Sequence, residues 1–450
     1  MRVASMMSVR ALAGFPPPSL RELQRARRVA LRQMVRHAYE RVPYYRRLFD
    51  RHGISPKDVR HPDDLRRLPI TTRQDLQRAG VEDRLAEGVD RSKLEYVRTS
   101  GSTGEPLTIV RTGLEARLAL NYWLRPDWQY GCRPTYRKAW LKTPHHAAAQ
   151  RNRIYTWLKH ALGLFRFRRL NCLRPAEELL GELRQYRPDV LGGMPSMLYR
   201  LAESATRRDR RLIQPHYIRT GGDTLTPAMR RRIGEVFGAT VRMTYGSHEF
   251  SLIGWECPTS GHLHTCDDAL IVEVLKNGRP AQPGERGELV ATNLLSYSMP
   301  FIRYRLADVV TCGPARCACG APFSVIEGVE GRAVDFLQLP GGARLHPFTV
   351  VGPVVYGAPW VAKYQLVQHS HTSVSMLIRP LQPPGKGEVE RLEEQVRNEL
   401  PSCLDFSVRI VDRILQSPDD KLRLVRSELD DSASSDAEPA DRTAAARKGT

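Results

Sequence analysis

The stretch from Tyr96 to Arg111, YVRTSGSTGEPLTIVR, holds the densest group of residues suited to binding an anion. Hydroxyl and glycine residues follow one another in its centre: Ser100, Gly101, Ser102, Thr103 and Gly104. Glycines let backbone N–H groups face an anion, and hydroxyls add further donors. The spacing differs from that of a P-loop. The stretch therefore predicts either a phosphate cradle or an ordinary hairpin turn, which Gly and Ser also favour.

Three further polar pieces follow apolar runs: Gly221-Gly222-Asp223, Tyr245-Gly246-Ser247-His248-Glu249 and Arg303-Tyr304-Arg305-Leu306-Ala307-Asp308. In an α/β sheet, ligands bind where strands end, so these pieces are expected to converge on one crevice. Their chemistry suits a nucleotide, because glycines admit a flat ring and Tyr245 can stack on it. Glu249 can hold Mg²⁺ and Asp308 can accept from ribose hydroxyls. Taken singly, each piece is equally explained as a turn or a solvated acid.

A second group of residues has the chemistry of a zinc site. Cys257, His264, Cys317 and Cys319 supply three thiolates and an imidazole, which suits tetrahedral zinc. Four protein ligands would leave no open position, so the predicted zinc is structural. Three nearby residues are reserve ligands: His262, Cys266 and Cys312. The alternative is a loop of reduced thiols without a metal.

The composition limits the class of protein. A chain of 450 residues is long for one core, so two or more domains are expected. The net charge of +20 comes from arginines spread along predicted helix faces, which argues against a nucleic-acid surface. We find no run of about 18 apolar residues, as a membrane helix needs, and no signal-peptide pattern. A cytoplasmic location is therefore expected.

The spacing of apolar residues along the chain predicts an α/β fold and divides the chain into four segments. Residues 1–92 form a helical N-terminal preface of the large domain, because the region after Ser19 has helical apolar spacing. Residues 93–340 alternate short apolar runs with helical patterns, which indicates an α/β core that carries the zinc-binding insertion. Residues 341–429 are predicted to form a small mobile α+β lobe, which follows a Pro-Gly-Gly hinge. Residues 430–450 are polar and predicted to be disordered.

In this order the pieces resemble the adenylate-forming superfamily of acyl-activating enzymes, and more narrowly the branch of phenylacetate–CoA ligases and CapK-type proteins. The match runs from roughly Leu20 to Arg426. It rests on these stretches: VPYYR, HPDDLRRLPITTRQDL, RTSGSTGEPL, YGSHE, PFIRYRLAD, EGR before Asp335, and DDKLRLVRS. The resemblance implies a large multilayer N-terminal adenylation domain and a small C-terminal lobe that rotates between two half-reactions.

The implied reaction has two steps. A carboxylate attacks the α-phosphate of ATP to give an acyl-adenylate and pyrophosphate, and a thiol such as CoA, or an amine, then takes the acyl group. The resemblance implies that Ser100 to Gly104 hold the triphosphate, that Asp308 binds ribose, and that Arg332 contacts the nucleotide near the hinge. The implied adenine frame is Gly221, Gly222, Asp223, Tyr245 and Gly246. The candidate catalytic residues are Lys421, which would meet charge at the α-phosphate, Glu249, which would bind Mg²⁺, and His248.

The chain departs from the family pattern at four positions. Glu105 and Leu107 stand in the loop where a lysine is usual, His248 replaces threonine, and Ala307 replaces glycine. Relatives in the branch have a similar Cys, His, Cys-x-Cys set, which implies structural zinc. Two alternatives remain: a CapK-like protein of polysaccharide or natural-product biosynthesis that acylates a sugar or amine, and a catalytically weak, zinc-stabilised nucleotide-binding homologue. A homodimer is also considered.

Overall fold

The structure is a computed structural model. It describes residues 18–98, 107–142, 163–172, 174–222, 225–332, 337–342, 344–345, 358, 360–380, 383–412 and 425–429. The described α-helices are α1 Leu20–Arg41, α2 Pro43–Arg51, α3 Arg73–Arg84, α4 Gly113–Tyr122, α5 Leu124–Gln129, α6 Ala176–Tyr186, α7 Pro195–Ser204, α8 Arg207–Leu212, α9 Pro227–Phe237 and α10 Glu388–Glu399. Short 3-10 helices span Pro56–Asp58, Pro62–Arg67, Arg91–Lys93 and Pro340–Gly342.

The described strands divide among a large sheet, a small sheet and two short hairpins. They are β1 Leu94–Arg98, β2 Thr108–Thr112, β3 Lys138–Lys142, β4 Phe167–Asn171, β5 Val190–Gly193, β6 Tyr217–Thr220, β7 Thr240–Ser247, β8 Ser251–Glu256, β9 Leu263–Thr265, β10 Leu270–Lys276, β11 Arg279–Pro280, β12 Arg286–Asn293, β13 Tyr304–Cys312, β14 Val325–Arg332, β15 Leu337–Gln338, β16 Arg344–Leu345, β17 Val361–Ser370, β18 Ser373–Pro380, β19 Asp405–Ile410 and β20 Val425–Ser427.

Capping residues and a proline set the ends of the first two helices. Ser19 caps α1 in a capping box with Glu22, which satisfies donors at the helix start. The predicted break at Val42-Pro43 ends α1, and α2 begins at the proline itself because proline's fixed φ suits a first turn. The apolar side of α1 packs into the main core, where Met34 is fully buried. The predicted helical preface therefore contains two helices in immediate succession.

The large sheet has a parallel and an antiparallel half. Across the described residues, its strand order is β11-β10-β12-β13-β14-β9-β8-β7-β6-β5-β3-β4. Neighbours from β4 to β7 pair in parallel, whereas those from β7 to β11 pair antiparallel. Every residue of β5 and β6 is buried, as expected for central strands of a parallel sheet. A core formed with α6, α7 and α9 lies against this half.

The small lobe has its own sheet and core. Its strand order is β19-β18-β17-β20, and α10 packs on it through Leu392 and Val396. The α/β fold with a large domain and a small C-terminal α+β lobe is confirmed, while the exact domain boundaries stay predictions. The predicted tail at 430–450 lies outside the described residues. Among the described helices, none has the length and apolar character to cross a membrane.

Candidate functional site

The strands of the parallel half end together and bring backbone to one edge of the sheet. At this edge Gly221 follows β6, and a Cβ there would lie 2.6 Å from the Thr244 carbonyl oxygen. At Gly246 a Cβ would lie 2.4 Å from the Ser251 carbonyl oxygen. Both positions therefore require glycine. Gly222 has a φ of +86°, which also favours glycine. These close approaches leave an edge with little side-chain bulk, as a flat ligand needs.

Tyr245 and Asp308 meet across the large sheet. Tyr245 lies on β7 and Asp308 on β13, with three other strands between them in the sheet order. The Tyr245 hydroxyl donates to Asp308 Oδ2, and the tyrosine ring is buried. Asp308 also pairs in register with Arg332 on β14, whose backbone the structure describes. The fold thus brings together three residues that the sequence placed in one nucleotide site.

Glu249 follows β7 and contacts the same strand, β13, that carries Asp308. Its side chain is 8% exposed, and Oε1 accepts from the Tyr304 hydroxyl at 3.4 Å. Arg111 on β2 donates to the carbonyl oxygens of His248 at 2.5 Å and Glu249 at 2.9 Å. Sequence reasoning did not assign a role to Arg111. The available signal was a cation at the end of the apolar run Thr108–Arg111, beside the candidate loop.

His248 has an imidazole that favours the neutral form. Burial lowers the pKa of His248, the cations Arg111 and Lys142 lower it further, and Glu249 opposes them. A neutral imidazole can accept or donate a hydrogen bond without adding charge to the crevice. The structure therefore places His248 beside Glu249 in a state suited to polar contact.

The N-terminal motif LPITT supports the strand that carries Asp308. Thr71 N–H donates to the Arg303 carbonyl at 2.9 Å, and Arg305 N–H donates to the Thr71 carbonyl at 2.9 Å. The Arg303 guanidinium donates to Leu68 O at 2.6 Å and to Glu273 Oε1 at 3.0 Å. Arg303 has a φ of +49°, and β13 begins at the next residue, Tyr304. Two distant motifs thus act as one support.

The structure shows the surroundings of two residues that differ from the family pattern, Leu107 and Ala307. Leu107 is 1% exposed and belongs to the main core, where a lysine's charge would be costly. Ala307 has a φ of +63°, a conformation that glycine adopts without strain. Several predicted site residues lie outside the described residues: Ser100, Gly101, Ser102, Thr103, Gly104, Asp223 and Lys421, together with Glu105. Their roles stay predictions.

The four predicted zinc ligands meet in the antiparallel half. Cys257 follows β8, His264 lies on β9, and Cys317 and Cys319 lie between β13 and β14. Their ligating atoms all lie within 4.8 Å of one another. Cys257 Sγ is 3.7 Å from Cys317 Sγ, and tetrahedral zinc with Zn–S bonds of about 2.3 Å would set sulfurs roughly 3.8 Å apart. The donor set and its spacing fit a zinc ion.

The electrostatics of this cluster call for a cation. Burial raises the pKa of the Cys257 thiol, but donors of Ser260 and Thr259 outweigh it and lower that pKa to about 6. Burial, aided by contacts with Cys317 and Cys257, raises the pKa of Cys319 to about 11. The Cys257 thiolate forms readily, and the neighbouring Cys319 thiol is then held protonated unless a metal offsets the charge. Within the described residues, the reserve ligands His262, Cys266 and Cys312 are not part of the cluster.

Comparison with known proteins gives consistent matches. A family model described as AMP-binding enzyme matches residues 83–294. The phenylacetate–coenzyme A ligase of Thermus thermophilus is 29% identical over 393 residues, covering 80% of this chain and 81% of the relative. That of Escherichia coli is 29% identical over 338 residues, covering 72% and 74%. The chain is similar to adenylate-forming enzymes of the phenylacetate–CoA ligase type.

Solved structures agree on the fold of this chain. A 2-hydroxyisobutyryl-CoA ligase in the postadenylation state with R3-HIB-AMP has a TM-score of 0.67 at 20% identity, covering 92% of this chain and 91% of that one. The same ligase in an open conformation with 2-HIB-AMP and CoA has a TM-score of 0.60 at 21% identity, covering 91% and 92%. At this identity the likeness establishes the shared two-domain fold.

Proposed function

We propose that the chain activates a carboxylic acid with ATP as an acyl-adenylate and then transfers the acyl group to the thiol of CoA. The observation that carries the proposal is that β7 and the residues after it meet β13 at two points: Tyr245 donates to Asp308, and Glu249 accepts from Tyr304. These groups come from separate motifs and supply the polar contacts that a nucleotide needs. The phenylacetate–CoA ligase relatives favour CoA over an amine as acceptor.

The proposed nucleotide contacts follow from the residues at the strand ends. Gly221, Gly222 and Gly246 leave room for a flat ring beside Tyr245, and Asp223 completes the adenine frame. Asp308 would accept from ribose hydroxyls, and Arg332 would contact the nucleotide near the hinge. Ser100, Gly101, Ser102, Thr103 and Gly104 would donate to the triphosphate. Burial of the strand ends keeps these groups preorganised, which strengthens such contacts.

The proposed chemistry at the α-phosphate depends on two charged residues. Glu249 would hold Mg²⁺, which supplies charge neutralisation at the phosphate oxygens when bound. Arg111 fixes the backbone that carries this carboxylate, because its guanidinium binds the carbonyl oxygens of both His248 and Glu249. Lys421 would meet the negative charge that develops on the transferred phosphate as pyrophosphate departs.

We also propose that Cys257, His264, Cys317 and Cys319 bind a structural zinc ion. The support is the mutual spacing of the four ligating atoms and the burial of three of the four residues. With four protein ligands the ion would have no open position, so it would stabilise the turn before β14 and take no part in acyl transfer. The cytoplasmic location and a homodimer stay predictions.

The test is pyrophosphate release by the purified protein with Mg²⁺-ATP and a panel of aryl and aliphatic acids, starting with phenylacetate. We expect release with at least one acid, and consumption of the adenylate when CoA is added. Lys421→Ala should lower adenylation roughly 100-fold or more, as loss of a transition-state contact does. A matched control is Lys276→Met, since Lys276 pairs with Glu285 on a surface hairpin.

Three outcomes would contradict this function. Absence of release with every acid would favour a weak homologue that only binds nucleotide. Transfer to an amine or sugar but not to CoA would favour the CapK-like alternative. Full adenylation by Lys421→Ala would remove the proposed role of that lysine.

A further inference from the structure

Strand β3 presents a row of polar and aromatic side chains to the side of the sheet opposite the helix-covered core. Ala139 and Leu141 are buried in the core with α6 and α7. Because side chains alternate along a strand, Lys138, Trp140 and Lys142 share the other face. None of these three residues is part of the nucleotide contacts proposed above. This row therefore needs its own explanation.

An aromatic floor lies in the middle of the row. Trp140 rests on Gly192 of the adjacent strand β5, where a Cβ would lie 2.0 Å from the indole ring. The Arg219 guanidinium of the next strand, β6, lies 4.3 Å from the Trp140 ring centroid. Arg219 is 8% exposed, so this stacked pair is a fixed feature. A planar apolar surface next to a buried cation is typical of a binding pocket.

Charge on this face is unbalanced. Asp127 is 4% exposed and accepts from Lys138 at 2.5 Å, Arg219 at 2.7 Å and the Tyr217 hydroxyl at 2.5 Å. Its two oxygens thus serve two cations already. Among the described residues no carboxylate forms an ion pair with the third cation, Lys142. Within the described residues, Lys138, Arg219 and Lys142 therefore share one carboxylate, and Arg169 on the neighbouring strand β4 adds a further cation.

The surroundings of Lys142 disfavour its charge. Burial lowers the pKa of Lys142, and the nearby cations Arg169 and Arg219 lower it further. No acidic group opposes them in the described part of the chain. A half-buried ammonium in this position loses solvation without a compensating partner. An anionic group from a ligand would supply that partner.

The position of Lys142 separates it from the nucleotide. It is the last residue of β3, and β7, which carries Tyr245, lies three strands away in the order β7-β6-β5-β3. At about 4.8 Å per strand, that is roughly 14 Å across the sheet. Lys142 nevertheless lies near enough to His248 to help lower the pKa of that imidazole. A molecule whose reacting end lies beside Glu249 would reach Lys142 with its far end.

We propose that Lys142 is a specificity-determining residue that binds a second anionic group, such as a second carboxylate, at the distal end of the carboxylic acid substrate. The body of that acid would lie along Trp140. This inference rests on the proposed acid activation and names the class of acid, a dicarboxylate rather than a simple monocarboxylate. Lys142 could instead bind the carboxylate that reacts, or a phosphate of ATP or CoA. The experiment below distinguishes these three anions.

The experiment compares acids that differ only in a second carboxylate, namely phenylacetate with 4-carboxyphenylacetate and valerate with glutarate. Adenylation is measured as pyrophosphate release, and kcat/KM is determined for each acid in wild type, Lys142→Met and Lys142→Arg. We expect wild type to prefer at least one diacid over its partner by roughly tenfold or more. Lys142→Met should abolish that preference, and Lys142→Arg should retain part of it. Lys276→Met is the matched control and should keep the wild-type ratio.

Three results would overturn the inference. Wild type could adenylate monoacids with no preference for either diacid. Lys142→Met could lower both members of each pair equally, which would assign Lys142 to the reacting carboxylate. It could raise KM for ATP or CoA with the acid ratio unchanged, which would assign it to a phosphate. Equal melting temperatures of the variants exclude misfolding, and failure to adenylate any acid would instead contradict the proposed function.

Discussion

The two halves of the large sheet organise their chemistry in opposite ways. In the antiparallel half, Cys257, His264, Cys317 and Cys319 converge until their ligating atoms lie within 4.8 Å of one another. In the parallel half, the crevice draws its groups from the ends of well-separated strands, and Tyr245 reaches Asp308 across the sheet. Antiparallel neighbours can close a small cluster, whereas parallel strand ends leave an open edge.

The difference suggests that the antiparallel half stabilises the fold and that the parallel half binds the ligand. A closed set of four protein ligands suits an ion that stabilises structure, because no position remains for a substrate. An open edge with glycines at Gly221 and Gly246 suits a ligand that enters and leaves. If the two halves differ in this way, substitutions in one half should change stability and metal content, and those in the other half should change catalysis. Each of the following changes tests one side of that difference.

The largest effect is expected at the cysteine–histidine cluster. Cys317→Ser should reduce bound zinc from about one equivalent to less than half, and it should destabilise the fold by about 3 kcal/mol or more, because metal binding contributes to folding. The measurements are metal analysis of the purified protein and the midpoint of thermal unfolding. The matched control is Cys312→Ser, since Cys312 lies outside the cluster. Equal zinc content in both variants, or none in wild type, would contradict a zinc site.

Glu249→Gln should have the largest effect in the parallel half. Loss of the carboxylate proposed to hold Mg²⁺ should reduce adenylation roughly 100- to 1000-fold, which corresponds to about 3–4 kcal/mol of transition-state stabilisation. Pyrophosphate release measures the loss, and zinc content should not change. Tyr304→Phe is the companion variant, because its hydroxyl contacts Oε1 at the long distance of 3.4 Å. If Glu249→Gln adenylates like Tyr304→Phe, Glu249 is not the metal ligand.

The sequence predicted most elements but fewer of the contacts between them. The start of α9 can be recognised in the sequence, because the capping side chain of Thr226 and the first-turn Pro227 are local signals. The four residues of the predicted zinc site lie close together, while zinc binding itself stays a prediction. Arg111 was missed, because its partners are backbone carbonyls 137 and 138 residues away, which side-chain chemistry does not reveal.

The reasons for the departures from the family pattern could be found only in the structure. The sequence marked Leu107 and Ala307 as unusual but gave no reason for either residue. Leu107 is a core residue, so its apolar character follows from packing. The setting of Ala307 depends on a positive φ, which a residue name does not encode. Non-local packing and backbone conformation are thus the parts that local patterns could not predict.

A smaller effect on catalysis is expected from the hydrogen bond between Tyr245 and Asp308, which joins the two halves of the sheet. Asp308→Asn should raise KM for ATP roughly tenfold, because an amide offers one acceptor oxygen in place of two for ribose hydroxyls. Tyr245→Phe removes the hydroxyl that donates to Asp308 and should raise KM by about threefold, the size of one hydrogen bond. Steady-state kinetics at saturating acid provide both values. A larger effect of Tyr245→Phe than of Asp308→Asn would assign nucleotide binding to the tyrosine.

The smallest expected effect concerns backbone strain next to Asp308. Ala307 has a φ of +63°, where an L-residue with a Cβ is disfavoured by about 1–2 kcal/mol. Ala307→Gly relieves that strain, but glycine also gains about 0.4–1 kcal/mol of conformational freedom in the unfolded chain. The net stabilisation should therefore be about 0.5–1 kcal/mol, measured by denaturant unfolding.

The reverse substitution at a matched position isolates the strain. Gly238 has a φ of +61°, and a Cβ there would meet no atom within 4 Å, so Gly238→Ala adds strain without a clash. It should destabilise the protein by about 1 kcal/mol, opposite in sign to Ala307→Gly. Opposite signs would show that Ala307 stores strain beside a candidate ligand contact, as functional sites often do. Destabilisation by both variants would mean that the Ala307 methyl group stabilises the fold through its packing.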